Sequence, residues 1–427
     1  MKENKFYDIH CHAMNLSHPN LLAFLNRYSI LKSLTLHQWL PFRTFFLGKN
    51  FIRIKNLLSI MENDLGDFFL IMENCLKDPD NPLLQGALFR VGDRAYGKVV
   101  LTPLVIDFGT KGGRDPAIHY SQLSEKPVVE QVIDLFNGIR RYREKSRGKI
   151  FEIFPFLGLN TRNYFLEAKN EGPRDSSHLA AEETKNTLPN LLEKYFGDYQ
   201  ASPAALLTRM GEFDGNMEQM TGNFFAGIKL YPPLGFDPWP EKNGEELEKV
   251  RYLYEFCSGK KIPLTVHCCD QGFVTIPDRE VKAFTNPSKW EPVLKRYPAL
   301  KINLAHFGKQ GKRLGIFRQT HWQKTILKLM AEYENVYTDF ANNGTNDQSY
   351  RSLRALIEAS ARRFSPGFKE KLTRRILFGS DFMINLLRMD SYNQYLDLFS
   401  KTKWLTPEEK ELFGCLNPER FLFSDPL

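Results

Sequence analysis

Residues 6–12 read FYDIHCH, a short run of strand-forming residues that ends in two histidines one position apart. In a β-strand residues i and i+2 share a face, so His10 and His12 point one way while Ile9 and Cys11 point the other. Two imidazoles on one face can hold a single divalent ion. The same pair also arises by chance on a surface hairpin, so the reading depends on the rest of the chain.

Seven further apolar runs follow. They are KVVLTPLVIDF (98–108), IFEIFPFLGLN (150–160), FFAGIKLYP (224–232), IPLTVHC (262–268), LKINLAHFG (300–308), NVYTDFA (335–341) and RILFGSDF (375–382). Helical patterns lie between several of them, such as PVVEQVIDLFNGIRRYREK (127–145) and GEELEKVRYLYEFCSG (244–259), the latter with Gly259 as an expected C-cap. Continuous apolar strands alternating with helices predict a parallel sheet covered on both faces. Eight such units predict an α/β fold of the closed (β/α)8 TIM-barrel type, read as one domain over 1–427. A plain barrel needs about 250 residues, and the excess falls in large helical insertions after strands 1 and 3, residues 14–97 and 161–221. Both follow strand C-terminal ends, which places them over the barrel mouth as a lid or partner surface.

Composition narrows the function classes. The chain has 427 residues, of which 42% are hydrophobic and 34 are Phe, enough for a large core. A net charge of +8 with nearly balanced acids and bases is compatible with an anionic small-molecule substrate and argues against nucleic acid. Six cysteines without a framework of spaced pairs suit reduced thiols. The first strand begins almost at once, leaving no room for a signal segment, and the apolar stretch 28–48 is broken by Lys32, His37, Pro41 and Arg43. A cytoplasmic enzyme with no membrane span is the expectation, and a homodimer is the default assembly.

The strand ends carry the chemistry. His10 and His12 end the first strand, Lys229 the fourth, His267 the fifth, His306 the sixth and Asp381 the eighth. In a parallel barrel these positions converge on one face. Four of the nine histidines fall there, which core packing does not explain and a metal site does.

In this order, DIHCH, GIKLYPP, TVHC, NLAHFG, NVYTDFA and LFGSDF, with the closing GCLNPERFLF, resemble the amidohydrolase superfamily, specifically its amidohydrolase-2 branch of metal-dependent hydrolases and related decarboxylases. The resemblance spans the chain outside the two insertions. It implies that His10, His12 and Asp381 bind the more buried ion and that His267 is a fourth ligand or serves a second metal. His306 then ligates a second metal or hydrogen-bonds the substrate carbonyl. Lys229 is either carboxylated and bridging or a plain cation gripping a substrate carboxylate. Zinc is the expected metal, as one or two ions, with Asp381 shuttling the proton of a metal-activated water. The expected reaction is hydrolysis of an amide, lactone or ester-like bond. The alternative is non-oxidative decarboxylation of an aromatic or unsaturated acid, with a non-catalytic barrel binding protein as the reading from another class.

Other residues carry weaker signals. Arg114, with Lys111 and His119 in the loop 108–120, and Arg162 after strand 3 are candidate substrate-anion contacts. Asn342, with Asp339 and Asn343 after strand 7, could meet the substrate or cap the next helix. Cys11, Cys268 and Cys269 are expected to be structural. The basic, aromatic stretch 43–55 is read as lid surface, and His18, His37, His178 and His321 as structural.

Overall fold

The computed structural model describes residues 4–19, 44–80, 83–109, 128–167, 187–216, 222–310, 321–364 and 367–423. Each of the eight apolar runs forms a strand: β1 (Lys5–Cys11), β2 (Lys98–Pro103), β3 (Phe151–Ile153 and Phe156–Leu159), β4 (Gly227–Leu230), β5 (Leu264–Val266), β6 (Ile302–Leu304), β7 (Val336–Asp339) and β8 (Ile376–Leu377). All neighbouring pairs are parallel, in the order β1-β2-β3 and β3-β4-β5-β6-β7-β8. The ring closes where Cys11 bridges Phe382, with Ile9 N–H donating to Phe378 O and Asp381 N–H to His10 O at 2.7 Å. A break at Phe154-Pro155 divides β3, and Leu104 bridges to its second half. The barrel predicted from strand count is therefore the observed one.

Strands β4 to β8 are buried at every residue, because helices cover the outside and side chains fill the inside. Helices follow in register, among them Val128–Lys145 after β2, Gly244–Lys260 after β4 and His321–Glu332 after β6. The third of these ranges begins a helix that ends just before β7. The helix after β4 does not stop at Gly259. It runs to Lys260, and Lys261 takes the left-handed turn (φ 59°) with its N–H on Cys257 O and Ser258 O. A lysine here tolerates a conformation usually given to glycine because both freed carbonyls gain donors.

Between β1 and β2 lie helices Thr44–Met61 and Leu65–Cys75 and an antiparallel meander, Leu84–Gln85, Leu88–Val91 and Arg94–Tyr96. Phe68 packs 5.8 Å from Phe382, beside the strand-end face, whereas Phe89 and Tyr96 pack at 5.1 and 5.6 Å on Phe6 near the start of β1. This segment thus borders the mouth with one part and the barrel flank with the other. Helices Leu188–Phe196 and Pro203–Gly211, N-capped by Thr187 and Ser202, lie between β3 and β4. No helix among the described residues is long and apolar enough to cross a membrane.

Candidate metal centre

The four strand-end histidines meet in space. Their rings sit within van der Waals range of one another, with centroid separations of 5.5 Å for His10–His12, 4.7 Å for His10–His306 and 4.9 Å for His267–His306. All are buried, as are Asp381 and Lys229. His12, His267, His306 and Asp381 lie just past their strands, where the chain has turned into loop. Of the six described non-glycine residues with positive φ, four are His306, Phe307, Asn342 and Asp381, at the ends of β6, β7 and β8. Left-handed backbone costs an L-residue roughly 1 kcal/mol or more, so the rim holds strain where it aims these side chains.

Each imidazole has one nitrogen committed to an acceptor. His12 Nδ1 donates to Leu104 O at 3.0 Å, His306 Nδ1 to Ala341 O at 3.0 Å and His267 Nε2 to Gln271 O at 2.5 Å. His10 Nδ1 donates to Asp339 Oδ2 at 2.9 Å. Carbonyls and an ionised carboxylate only accept, which fixes each neutral tautomer and leaves the other nitrogen as a lone pair. Those lone pairs converge. His10 Nε2 and His12 Nε2 lie 3.5 and 3.3 Å from Asp381 Oδ1, and His306 Nε2 lies 3.2 Å from His267 Nδ1. Two lone pairs facing each other repel unless something electropositive shares them. His10 Nε2 and Lys229 Nζ are buried without a hydrogen-bond partner. Such a donor set fits a divalent cation, and His10, His12 and Asp381 by themselves have ligand atoms within 4.8 Å of one another.

The charges agree with that fit. Burial lowers His12, His267 and His306, the last pushed down to about 3, so these three stay neutral and able to ligate. Burial opposes the charge of Asp381, but the close approach of His12, His306 and His10 outweighs it and holds the carboxyl below its usual range. Burial also lowers Lys229 to about 8, against the pull of Asp339 and Asp381.

Asp339 neither caps the following helix, whose N-cap is Asn346, nor lines the cleft. It sits inside the barrel and accepts from His10 Nδ1 and Asn303 Nδ2 on one oxygen and from the N–H groups of His306 and Ala341 on the other. It thereby aims His10 and fixes the start of the β6 loop at once. Gly379 permits the same closeness from β8, since a Cβ there would lie 2.6 Å from His10 Cβ.

A cleft opens beside these groups and is lined by His12, His267, His306 and Asp381. Tyr231, Phe273 and Ile384 supply its apolar wall, and Cys269, Lys309, Asn342 and Arg388 also reach it. Tyr231 lies against His267 at 4.4 Å between ring centroids and its hydroxyl accepts from Phe273 N–H. Of the sequence candidates, Asn342 is in the cleft. Arg162 is not: it is exposed and directs Nη1 to Gly235 O at 3.4 Å. Arg114 lies outside the described residues. Lys309 and Arg388 gave no signal in the sequence, because each stands in a loop without a spacing that marks it.

Comparison with known proteins adds to this geometry. The amidohydrolase family model matches residues 181–423. Among curated proteins nothing matches the chain. A solved structure similar to it is 5-carboxyvanillate decarboxylase from Novosphingobium aromaticivorans, complexed with manganese and 4-hydroxy-3-methoxy-5-nitrobenzoic acid. That likeness has 10% identity, covers 98% of this chain and 96% of that one, and has a TM-score of 0.45. A 2,6-dihydroxybenzoate decarboxylase complexed with 2,6-dihydroxybenzoate has 10% identity, 99% coverage of both chains and a TM-score of 0.41. A probable 2-pyrone-4,6-dicarboxylic acid hydrolase from Acinetobacter baumannii, with citric acid bound, has 10% identity, coverage of 83% and 88%, and a TM-score of 0.39.

Proposed function

The chain belongs to the amidohydrolase family, in its amidohydrolase-2 branch, and from that premise we propose that it is a metal-dependent hydrolase that opens an amide, lactone or ester-like bond. The observation that carries this reading is the pattern of fixed tautomers, which turns four imidazole lone pairs and the Asp381 carboxylate toward one another. His10, His12 and Asp381 hold one ion, and His267 and His306 complete that site or hold a second. Imidazole-rich donors suit zinc. A divalent ion in this place supplies a Lewis acid for the scissile carbonyl and a hydroxide-like nucleophile near neutral pH.

The protein's own groups do the rest. Asp381 turns Oδ1 toward His10 and His12, so its other oxygen takes the proton released at the nucleophile and returns it to the leaving group. Because Asp381 is held ionised, it starts as a base, as hydrolysis requires. His306, aimed by Ala341 O, presents Nε2 to the same space and orients the carbonyl when it is not a ligand. Asn342 Oδ1, buried and without a partner, is an acceptor for an N–H or O–H of the substrate. The Lys229 amine is buried and inclined to neutrality, which suits addition of carbon dioxide: an N–C bond would form, a proton would leave, and the resulting carbamate would be a further anionic group able to help hold the metal.

Decarboxylation is the second reading, favoured by the two cations, Lys309 and Arg388, that line the cleft with one carboxylate. There His10, His12 and Asp381 would hold an ion that orients the substrate carboxylate, the C–C bond would break to release carbon dioxide, and a proton from solvent would replace it on the ring or chain carbon. The deciding experiment is metal content per chain by inductively coupled plasma mass spectrometry, on protein purified without chelator. Two equivalents, lost to one in Lys229→Ala, are expected for the bridged hydrolase. One equivalent unchanged by Lys229→Ala moves the assignment to a mononuclear site and to assays of carbon dioxide release. No metal after incubation with zinc or manganese sinks both.

A further inference from the structure

Beneath the candidate centre, three neighbouring strands each turn one polar side chain into the barrel. Lys229 on β4 stands in register with Thr265 on β5, and Thr265 with Asn303 on β6, so the three share one face. That face is the interior, where Asn303 Nδ2 donates to Asp339 Oδ2 at 2.7 Å. All three residues are buried, and Lys229 Nζ, Thr265 Oγ1 and Asn303 Oδ1 have no hydrogen-bond partner among the described residues. Barrel interiors ordinarily take Val, Ile or Leu at such positions. A buried hydroxyl left unpaired is costly, and valine would fill the space of Thr265 without that cost. Three such atoms in one row therefore call for something that pairs them together. Their chemistry is complementary: the lysine nitrogen donates, the amide oxygen accepts and the hydroxyl does either. The Asn303 amide cannot be reversed, because the ionised carboxylate of Asp339 only accepts, so the atom left over is its oxygen.

We propose that Thr265 and Asn303 are positioning residues for Lys229, tied to its nitrogen by one buried water. The water accepts from Lys229 N–H and donates to Thr265 Oγ1 and Asn303 Oδ1, which matches the roughly three partners a buried water takes. Asn303 carries the connection on to Asp339, which also accepts from His10 Nδ1 at 2.9 Å. A single polar chain thus crosses the barrel from β4 to β1 and joins Lys229 to His10. It fixes the direction of an amine on a flexible four-carbon stem, and it makes the lysine and His10 respond together. This assignment deepens the metal-dependent reading above and rests on it for what Lys229 does, whereas the chain itself requires no metal.

The test begins with a high-resolution crystal structure of the protein as purified. A water bound to Thr265 Oγ1, Asn303 Oδ1 and the Lys229 nitrogen is expected, and its absence overturns the proposal. Thr265→Val and Thr265→Ser are then compared with the wild type by thermal unfolding without metal and by zinc competition against a chelator. Valine should lower the melting temperature and weaken the second zinc equivalent about tenfold or more, while serine, which keeps the hydroxyl, should retain the zinc affinity. A hydroxyl that serves packing alone predicts the reverse for valine, since an apolar group of the same shape then replaces an unpaired one. An unchanged or higher melting temperature in Thr265→Val, unchanged zinc affinity in that variant, or lost affinity in a folded Thr265→Ser would each overturn the chain. Failure of the bridged metal reading registers separately, as one zinc equivalent or none in the wild type. In that event the water and the melting shift still decide, since neither depends on a metal.

Discussion

Besides Asp381, the seam where β8 closes on β1 and the wall formed by β6 and β7 each bury a carboxylate near His10, and these two behave oppositely. Asp8, at the seam, accepts from Ser380 N–H at 2.9 Å, Tyr392 hydroxyl at 3.0 Å and, more loosely, His10 N–H. Burial raises it to about 6 despite these donors. Asp339, in the wall, is as deeply buried, yet the His10 and His306 imidazoles and the donors around it outweigh burial and hold it below the usual carboxylate range. Hydrogen-bond number does not separate them so much as hydrogen-bond partner. Asp339 has imidazole, amide and main-chain N–H donors directed at both of its oxygens, and these sustain a buried anion. The wall carboxylate therefore serves the centre, while the seam carboxylate serves closure of the ring.

The largest effect is expected from Asp339→Asn. Its amide nitrogen must face donors on one side, which costs either the His10 acceptor or the His306 and Ala341 contacts, and metal affinity should fall about 10- to 100-fold in competition with a chelator. Gly379→Ala tests the seam side: the added methyl pushes on His10, and stability should drop by about 1–3 kcal/mol in denaturant melts, with metal lost as His10 shifts. Acid sharpens the contrast. The buried imidazoles, His306 at about 3 against an ordinary 6.5, bind fewer protons folded than unfolded between those values. Stability of the metal-free protein should accordingly fall as pH drops below 6.5, by up to about 1.4 kcal/mol per pH unit for each such ring. Chemical denaturation across pH 4–7 reads this, and a flat profile would contradict it. Asp8 contributes with the opposite sign. Its folded value lies above the unfolded 3.8, so its stabilising effect is greatest in acid and declines as pH rises through about 6. Asp8→Asn should then be neutral or gain on the order of 1 kcal/mol at pH 8 and nothing at pH 4, with metal content unchanged.

The barrel was legible because eight apolar runs separated by helical patterns leave few ways to bury both faces of each strand. The ring of strand-end residues was legible for the same reason: parallel closure brings His10, His12, Lys229, His267, His306 and Asp381 to one end whatever the loops do. Asp339 was visible only as a strand-end aspartate with two everyday explanations. Its partnership with His10 spans 329 positions and exists only once β7 stands across the interior from β1. Arg162 misled because a cation after a strand end can turn outward, and here it turns to Gly235. Lys309 and Arg388 depend on how three loops meet at the Asn342 carbonyl, which no local pattern encodes. Gly259 failed as a cap because Lys260 extends the helix by one residue and Lys261, in the left-handed turn, still satisfies its carbonyls.

Three of the four imidazoles are aimed by main-chain oxygens, those of Leu104, Gln271 and Ala341. A carbonyl oxygen is present whatever side chain its residue bears. Of the three, Gln271 lines the cleft, so its side chain can change and alter the chamber wall while the His267 ring keeps its orientation as long as the backbone path is kept; Leu104 and Ala341 are buried in the core. Only His10 relies on a side chain, Asp339, that sequence change can remove. The molecule thereby separates what must stay from what is free to vary, and new substrates can be explored by point changes at the rim without dismantling the centre beneath it.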